Sequence, residues 1–280
     1  MQTYYDIQQI DPDKFAAIAA GAFFQFNKNC LQDARRLIRN NQPVLFVDVF
    51  PAHSMAELKL LLSASERQMM MADLGADAYI ALSLEDFVQF LGNLSARTPS
   101  SEQKLTLLCG LSPGKIHPVH AQEFISSAFR QGVDFRWHTT LGYYYPLTGK
   151  VVYGNQIGRK MGFPTANLRP DDPSKIIPPL GVYAGWVQIG DKHHASMINI
   201  GIRPTLDLEN VTIEAHIFNF NENIYNATLT LHFLQRIRNE MKFPSLDDLK
   251  TQLKQDRETT LQILDRHKGM RPNINFIFHQ

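Results

Sequence analysis

The chain of 280 residues carries 28 basic and 27 acidic side chains, a net charge of +1, and is 44% hydrophobic and 10% aromatic. That size suits two modest globular domains, and the balanced charge excludes a global field that would gather nucleic acid or an anionic membrane, so neither is an expected partner. Its cysteines, Cys30 and Cys109, form no C-x-x-C pair, which argues against a disulfide scaffold or a cysteine zinc site and for a reducing compartment. The first residues, M-Q-T-Y-Y-D-I-Q-Q-I-D, are polar and acidic, and no apolar run reaches membrane-spanning length; a soluble, cytoplasmic protein is expected.

Residues 1 to 140 alternate short apolar runs with helical patterns. Ala16 to Phe26 is small and apolar, and Cys30 to Asn40 places apolar residues at helical spacing with arginines opposite. Pro43 to Phe50 reads as a buried strand rich in β-branched and aromatic residues. Ser63 to Leu74 reads as a helix opened by Ser63-x-x-Glu66 and stopped before Gly75. Asp77 to Leu82 is a second strand, Leu84 to Leu94 a helix and Lys104 to Cys109 a third strand. The alternation predicts an α/β domain with a parallel sheet. Chemistry is thin here. The turn Gly21 to Cys30 offers Gly21, Asn27, Lys28 and Asn29 among aromatics and reads as structural, and His53, His117 and His120 stand apart, without metal-ligand spacing. Ser126-Ser127 with Arg130 reads as a helix N-cap.

From Leu141 the pattern changes to strand after strand. Gly149–Tyr153, Gly181–Ile189, His194–Ile200, Val211–Phe218 and Ala227–Leu234 are separated by turn residues, which predicts antiparallel pairing and a small barrel of about six strands. His193-His194 is expected in a hairpin turn. Ser245 to His267 reads as a closing amphipathic helix, with Ser245 as cap and Asp247 and Asp248 in its first turn. The densest chemistry lies in Gly154 to Leu168, G-N-Q-I-G-R-K-M-G-F-P-T-A-N-L. Glycines let backbone N–H groups approach an anion, and Arg159 and Lys160 neutralise it. Thr165 and Asn167 sit two apart after a proline, so in extended backbone both oxygens face one hard cation such as Mg²⁺. A glycine-rich hairpin with a surface turn is the alternative. Glu214, in V-T-I-E-A-H-I-F, stands among the apolar Val211, Ile213 and Ile217, so its carboxylate faces either solvent or a ligand; beside a bound triphosphate it would be placed to deprotonate an attacking hydroxyl.

The stretch Gly154–Leu168, with P-L-G-V-Y-A-G (179–185), I-N-I-G-I-R-P-T (198–205), I-E-A-H-I-F-N-F (213–220), I-Y-N (224–226) and R-I-R-N-E-M-K-F (236–243), closely resembles the riboflavin kinase domain of bacterial bifunctional riboflavin kinase/FAD synthetases. The resemblance implies a six-stranded Greek-key barrel, over residues 141–280, that transfers the γ-phosphate of ATP to the ribityl 5′-hydroxyl of riboflavin, giving FMN. It implies ATP contacts from Gly154, Arg159, Thr165, Asn167, Ile217, Asn219 and Tyr225, and Mg²⁺ held by Thr165 and Asn167. It implies Glu214 as catalytic base and flavin contacts from Arg238, Met241 and Phe243. Asn226 departs from a usual glycine and Met241 from a usual basic or polar residue. Residues 1–140 resemble the family's nucleotidyltransferase domain, which converts FMN to FAD. Its glycine-phenylalanine-aspartate-glycine turn and histidine-x-glycine-histidine pair are replaced here, the aspartate by Phe24 and the histidines by Asn27 and Cys30. Neither replacement supplies a cationic donor to an α-phosphate.

The leading expectation is therefore an ATP- and Mg²⁺-dependent riboflavin kinase in FAD biosynthesis whose N-terminal, FAD synthetase-like domain does not adenylylate. A chain that retains both activities, and a flavin-binding regulatory protein without turnover, are the alternatives.

Overall fold

The structure is a computed structural model. It describes residues 1–21, 23, 28–38, 43–50, 62–97, 105–108, 111–112, 115–116, 141, 143–154, 157–204 and 209–267. Two compact units are present: Met1–Ile125 with Ser174–Ile176, and Ser126–Pro173 with Ile177–Gln280.

In the first unit, β1 (Gln2–Tyr4), β2 (Ala17–Gly21), β3 (Val44–Phe50), β4 (Ala78–Ser83) and β5 (Leu105–Leu108) form a parallel sheet in the order β1-β4-β3-β2-β5. Helices α1 (Lys28–Ile38), α2 (Ala64–Leu74) and α3 (Leu84–Arg97) connect them, followed by a two-stranded pair, β6 (Leu111–Ser112) and β7 (Lys115–Ile116). Strands buried on both faces read as continuous apolar runs. Val44, Leu45, Phe46, Val47 and Val49 are accordingly all buried. Ile18, Leu45, Val47, Ile80 and Leu82 pack there with Phe87 and Phe90 of α3. Helix α2 starts where its capping box predicts: the Ser63 amide donates to Glu66 Oε2 at 2.9 Å and the Glu66 amide to Ser63 Oγ at 3.4 Å. Gly75, at φ 84°, closes it in the left-handed conformation that suits glycine. Strand β1 has no sequence signal, since three residues are too short to show a period. His53, His117, His120, Ser126, Ser127 and Arg130 lie outside the described residues.

In the second unit, β8 (Tyr145–Val152), β9 (Ala166–Pro170), β10 (Gly181–Ile189), β11 (Lys192–Pro204), β12 (Glu209–Ile217) and β13 (Thr228–Arg238) close into an antiparallel barrel in the order β10-β11-β12-β9-β8-β13. A one-turn helix, α4 (Ile157–Lys160), joins β8 to β9, and α5 (Leu246–Arg266) follows the barrel, its cap Ser245 Oγ accepting from the Asp248 amide at 3.1 Å. Successive strand residues point to opposite faces. One set, including Tyr145, Tyr183 and Phe233, fills the barrel, with Tyr183 and Phe233 edge to face at 5.2 Å. The other set, Val182, Ala184, Trp186, Met197 and Leu234, packs on Ile263 and Leu264 of α5. Gly190 at φ 56° and Asp191 make the β10–β11 turn. His193 and His194 therefore belong to strand β11, His193 opposite Gln188 in the ladder, and not to the turn expected from sequence. The P-T-A-N segment enters strand β9 at Ala166, so Asn167 lies in extended backbone.

Candidate active site

Strand β12 organises the site because both of its faces are used. It pairs with β11 on one side, and on the other Glu214 lies opposite Asn167 and Ala215 opposite Ala166 of β9. The strand's period of two then divides its side chains. Ala215 and Ile217 line a cavity of about 410 Å³, together with Val151, Arg159, Phe220 and Tyr225. Glu214 and His216 line a second cavity of about 310 Å³, together with Asn167, Arg238, Met241 and Phe243. Thr165 lines both. Its hydroxyl donates to Glu214 Oε2 at 3.2 Å, so the half-buried carboxylate sits where the two cavities approach each other.

The chain between β8 and β9 is shaped for close approach. A Cβ on Gly154 would fall 2.3 Å from Asn167 Nδ2 and 2.6 Å from its Oδ1, so only glycine lets the carboxamide lie against the backbone there. A Cβ on Gly158 would fall 2.3 Å from the Phe163 carbonyl oxygen, whose residue closes the tight turn by donating its own amide to Gly158 at 2.8 Å. Pro164 is held from β12: its carbonyl accepts from Nδ1 of His216 at 2.8 Å. A carbonyl only accepts, so Nδ1 carries the proton. Burial lowers the His216 pKa and the Arg257 charge adds to this, against the opposing bond to Pro164, which keeps the ring neutral in the donor form that the turn uses.

Around the first cavity, Arg159 is exposed on α4, and the loop from Phe220 to Tyr225 forms the facing wall. Tyr225 is stacked on Tyr153, ring centroids 4.1 Å apart and planes at 18°. Asn219, expected on this wall, is exposed and does not line the cavity; at φ 54° it turns the chain out of β12. Asn226 takes φ 64°, the left-handed conformation that glycine favours and asparagine tolerates, so the departure noted in sequence preserves the backbone.

In the second cavity, Leu249 and Leu253 of α5, with Val182 and Met197, supply apolar lining. Arg238 ends β13 and its guanidinium lies 5.8 Å from the centroid of Phe243. Met241 is half exposed. Glu240, between them, accepts from the Ile202 amide at 3.1 Å. His216, Glu240 and Asp256 of α5, which pairs with Arg238 at 2.7 Å, are residues that sequence reasoning did not single out. An apolar-patterned strand hides a histidine of this kind, and partners on different elements leave no local signal.

In the first unit, a different pattern appears at the C-terminal end of the sheet, where ligands bind in open parallel folds. The Phe23 amide, just past β2, donates to Asp48 Oδ1 at 3.1 Å. Asp48 Oδ2 accepts from Arg67 Nε at 2.5 Å and from the Tyr79 hydroxyl at 2.8 Å, all of them buried. Burial and the neighbouring Asp48 charge, in that order, push the Tyr79 pKa up, so its hydroxyl stays a donor. Cys30 is buried on α1, while Phe24 and Asn27 lie outside the described residues.

Residues 141–264 match the family model for riboflavin kinase, also termed flavokinase. Among curated proteins, the bifunctional riboflavin kinase/FMN adenylyltransferase of Haemophilus influenzae is 40% identical over 144 residues, 50% of this chain and 46% of that protein. The protein of the same name from Bacillus subtilis is 32% identical over 145 residues, 51% of this chain and 46% of that protein. The matched region thus spans less than half the length of these relatives. Among solved structures, a Streptococcus pneumoniae protein titled a macrolide-efflux protein superposes with a TM-score of 0.69 at 24% identity, over 93% of this chain and 99% of that one, a likeness of fold. Among the described residues, no helix is long and apolar enough to cross a membrane.

Proposed function

We propose that the chain is an ATP-dependent riboflavin kinase that makes FMN, carried by residues 141–280. The observation that supports this best is the convergence of two cavities on Thr165, whose hydroxyl bonds Glu214 of the second cavity. In this reading the cavity with Arg159, Ile217 and Tyr225 takes ATP, and the cavity with Arg238, Met241 and Phe243 takes the isoalloxazine. The ribityl chain then runs toward Glu214. Its carboxylate accepts the proton of the 5′-hydroxyl as that oxygen forms its bond to the γ-phosphorus and ADP departs with the electrons of the broken P–O bond. Thr165 orients the carboxylate, and Arg159 balances phosphate charge. Asn219 acts through the turn it makes.

Oxygen donors of Thr165 and Asn167, which both line the second cavity with Asn167 seated over Gly154, fit a hard cation such as Mg²⁺ and would be the residues to hold it. When bound, it would neutralise charge on the transferring phosphate.

Residues 1–140 are proposed to be a nucleotidyltransferase-like domain that does not make FAD. Asn27 and Cys30 replace the imidazoles that would serve an α-phosphate, and the Phe23 amide already has a carboxylate, that of Asp48, as its anion. Incubating the purified chain with ATP, Mg²⁺ and riboflavin, then separating FMN from FAD, tests both halves. FMN without FAD is expected; absence of FMN sinks the kinase, and FAD in quantity restores the bifunctional alternative. A soluble protein of the cytoplasm follows from this reading.

A further inference from the structure

Each of the three nitrogens of Arg238 commits an N–H away from the cavity that the residue lines. Nε bonds both carboxylate oxygens of Asp256 at 2.9 Å, Nη2 bonds Oδ2 at 2.7 Å, and Nη1 donates to the Asn239 carbonyl at 2.9 Å. Asp256 is 3% exposed on α5, and its Oδ1 also accepts from Gln252 Nε2 at 2.9 Å. The Nε–Nη2 edge of the guanidinium is therefore turned to Asp256 of the helix, its Cζ lies 5.8 Å from the Phe243 ring centroid, and its plane is fixed where it borders the cavity. A planar cation held in this way stacks on aromatic rings and adds no competing polar edge.

We infer that Asp256 is a positioning residue for flavin binding: it holds the Arg238 guanidinium so that its face, with Phe243, forms a wall against which a planar, uncharged heteroaromatic ring stacks. The inference rests on the proposed riboflavin kinase reading. It assigns to α5, outside the barrel, control over one cavity and not the other, because the pair touches the lining of the second cavity alone.

A buried ion pair is by itself weak ground for a role beyond packing, since an apolar pair of similar volume often serves stability as well. That sets the controls. Asp256→Asn keeps the shape but breaks the charged fork, Arg238→Lys keeps the charge but loses the plane, and Arg238→Met with Asp256→Leu replaces the pair by apolar side chains. Riboflavin Kd is read from quenching of flavin fluorescence without ATP, KM values from FMN formation, and folding from circular dichroism and Tm. Asp256→Asn and Arg238→Lys are each expected to raise riboflavin Kd and KM by about tenfold, with the KM for ATP changed by less than about twofold. The apolar double variant is expected to fold and still bind riboflavin weakly.

Asp256→Asn with an unchanged riboflavin Kd, equal rises in both KM values, or a double variant with full riboflavin affinity overturns the assignment. If Asp256→Asn does not fold, the double variant alone decides. A wild-type chain that binds no riboflavin overturns the kinase reading itself, whereas one that binds it equally well with and without the Asp256 carboxylate overturns only the positioning role.

Discussion

Replacing Glu214 by Gln isolates the chemical step. The substitution keeps side-chain length and one carbonyl oxygen, so the Thr165 hydroxyl retains an acceptor in place of Glu214 Oε2, 3.2 Å away. The residue is half-buried on a strand paired on both sides, so neither backbone nor packing has reason to move. What disappears is the group proposed to accept a proton from the attacking hydroxyl. General-base assistance is worth about two to four decades in rate, roughly 3–5 kcal/mol at about 1.4 kcal/mol per decade. The expected result is a kcat for FMN formation lowered by about 10²–10⁴, with riboflavin Kd within about threefold of wild type because binding is carried by other groups. Chromatographic separation of FMN gives the rate, fluorescence quenching gives the Kd, and a thermal melt shows that the barrel is intact. A folded Glu214→Gln protein whose kcat stays within about threefold of wild type refutes the base assignment, whatever its effect on KM.

Gly154→Ala drives a methyl onto the Asn167 carboxamide, 2.3 Å from Nδ2, so Asn167 must swing away; titrating activity against Mg²⁺ should show about a tenfold higher requirement, with about 1–3 kcal/mol lost in stability. Asn226→Ala places a Cβ residue without a local hydrogen-bonding side chain at φ 64° and should lower stability by about 1–2 kcal/mol in a denaturant melt, whereas Asn226→Gly should not. His232 is fully buried, its Nε2 bonded to Gln188 Oε1 at 2.8 Å while Nδ1 has no partner among the described residues, and burial followed by the nearby His193 pushes its pKa down to about 3. Its folded value lies below its unfolded one, so the unfolded chain takes up the proton first: stability is full above about pH 6.5 and falls as pH drops toward 3. The loss is on the order of 2 kcal/mol by pH 5, and His232→Gln should remove it in urea titrations at the two pH values.

Much of the site was legible because the residue types that handle phosphate are unlike those that fill cores. Arg159, Thr165, Asn167 and the glycines around them announce a purpose in sequence, and Gly154 proves to be needed for the closeness of one side chain. What could not be read was how the residues divide between cavities. At Glu214 the strand pattern left two outcomes, solvent or ligand, because the outer face of a barrel strand is exposed unless something distant covers it. Helix α5 supplies Leu249 and Leu253 to the cavity there, and nothing near residue 214 encodes that. The same non-locality hid His216, which reads as a strand residue until its ring meets Pro164, and the Asp48 carboxylate, which reads as a flaw in an apolar strand until it takes the Phe23 amide.

Arg238 shows why such partners matter to function. Its type and place in R-I-R-N-E-M-K-F led to an expected flavin contact, and it lines the second cavity, which the proposed reading gives to the flavin. Its charge, however, is paired with Asp256, eighteen positions on in the chain and on another element, and Nε and Nη2 both donate to that carboxylate. A side chain named by its motif thus acts through the geometry that its partner imposes. In the proposed reading, preference for a neutral ring over an anionic one would follow from that neutralised wall, because a free guanidinium favours any carboxylate or phosphate small enough to enter.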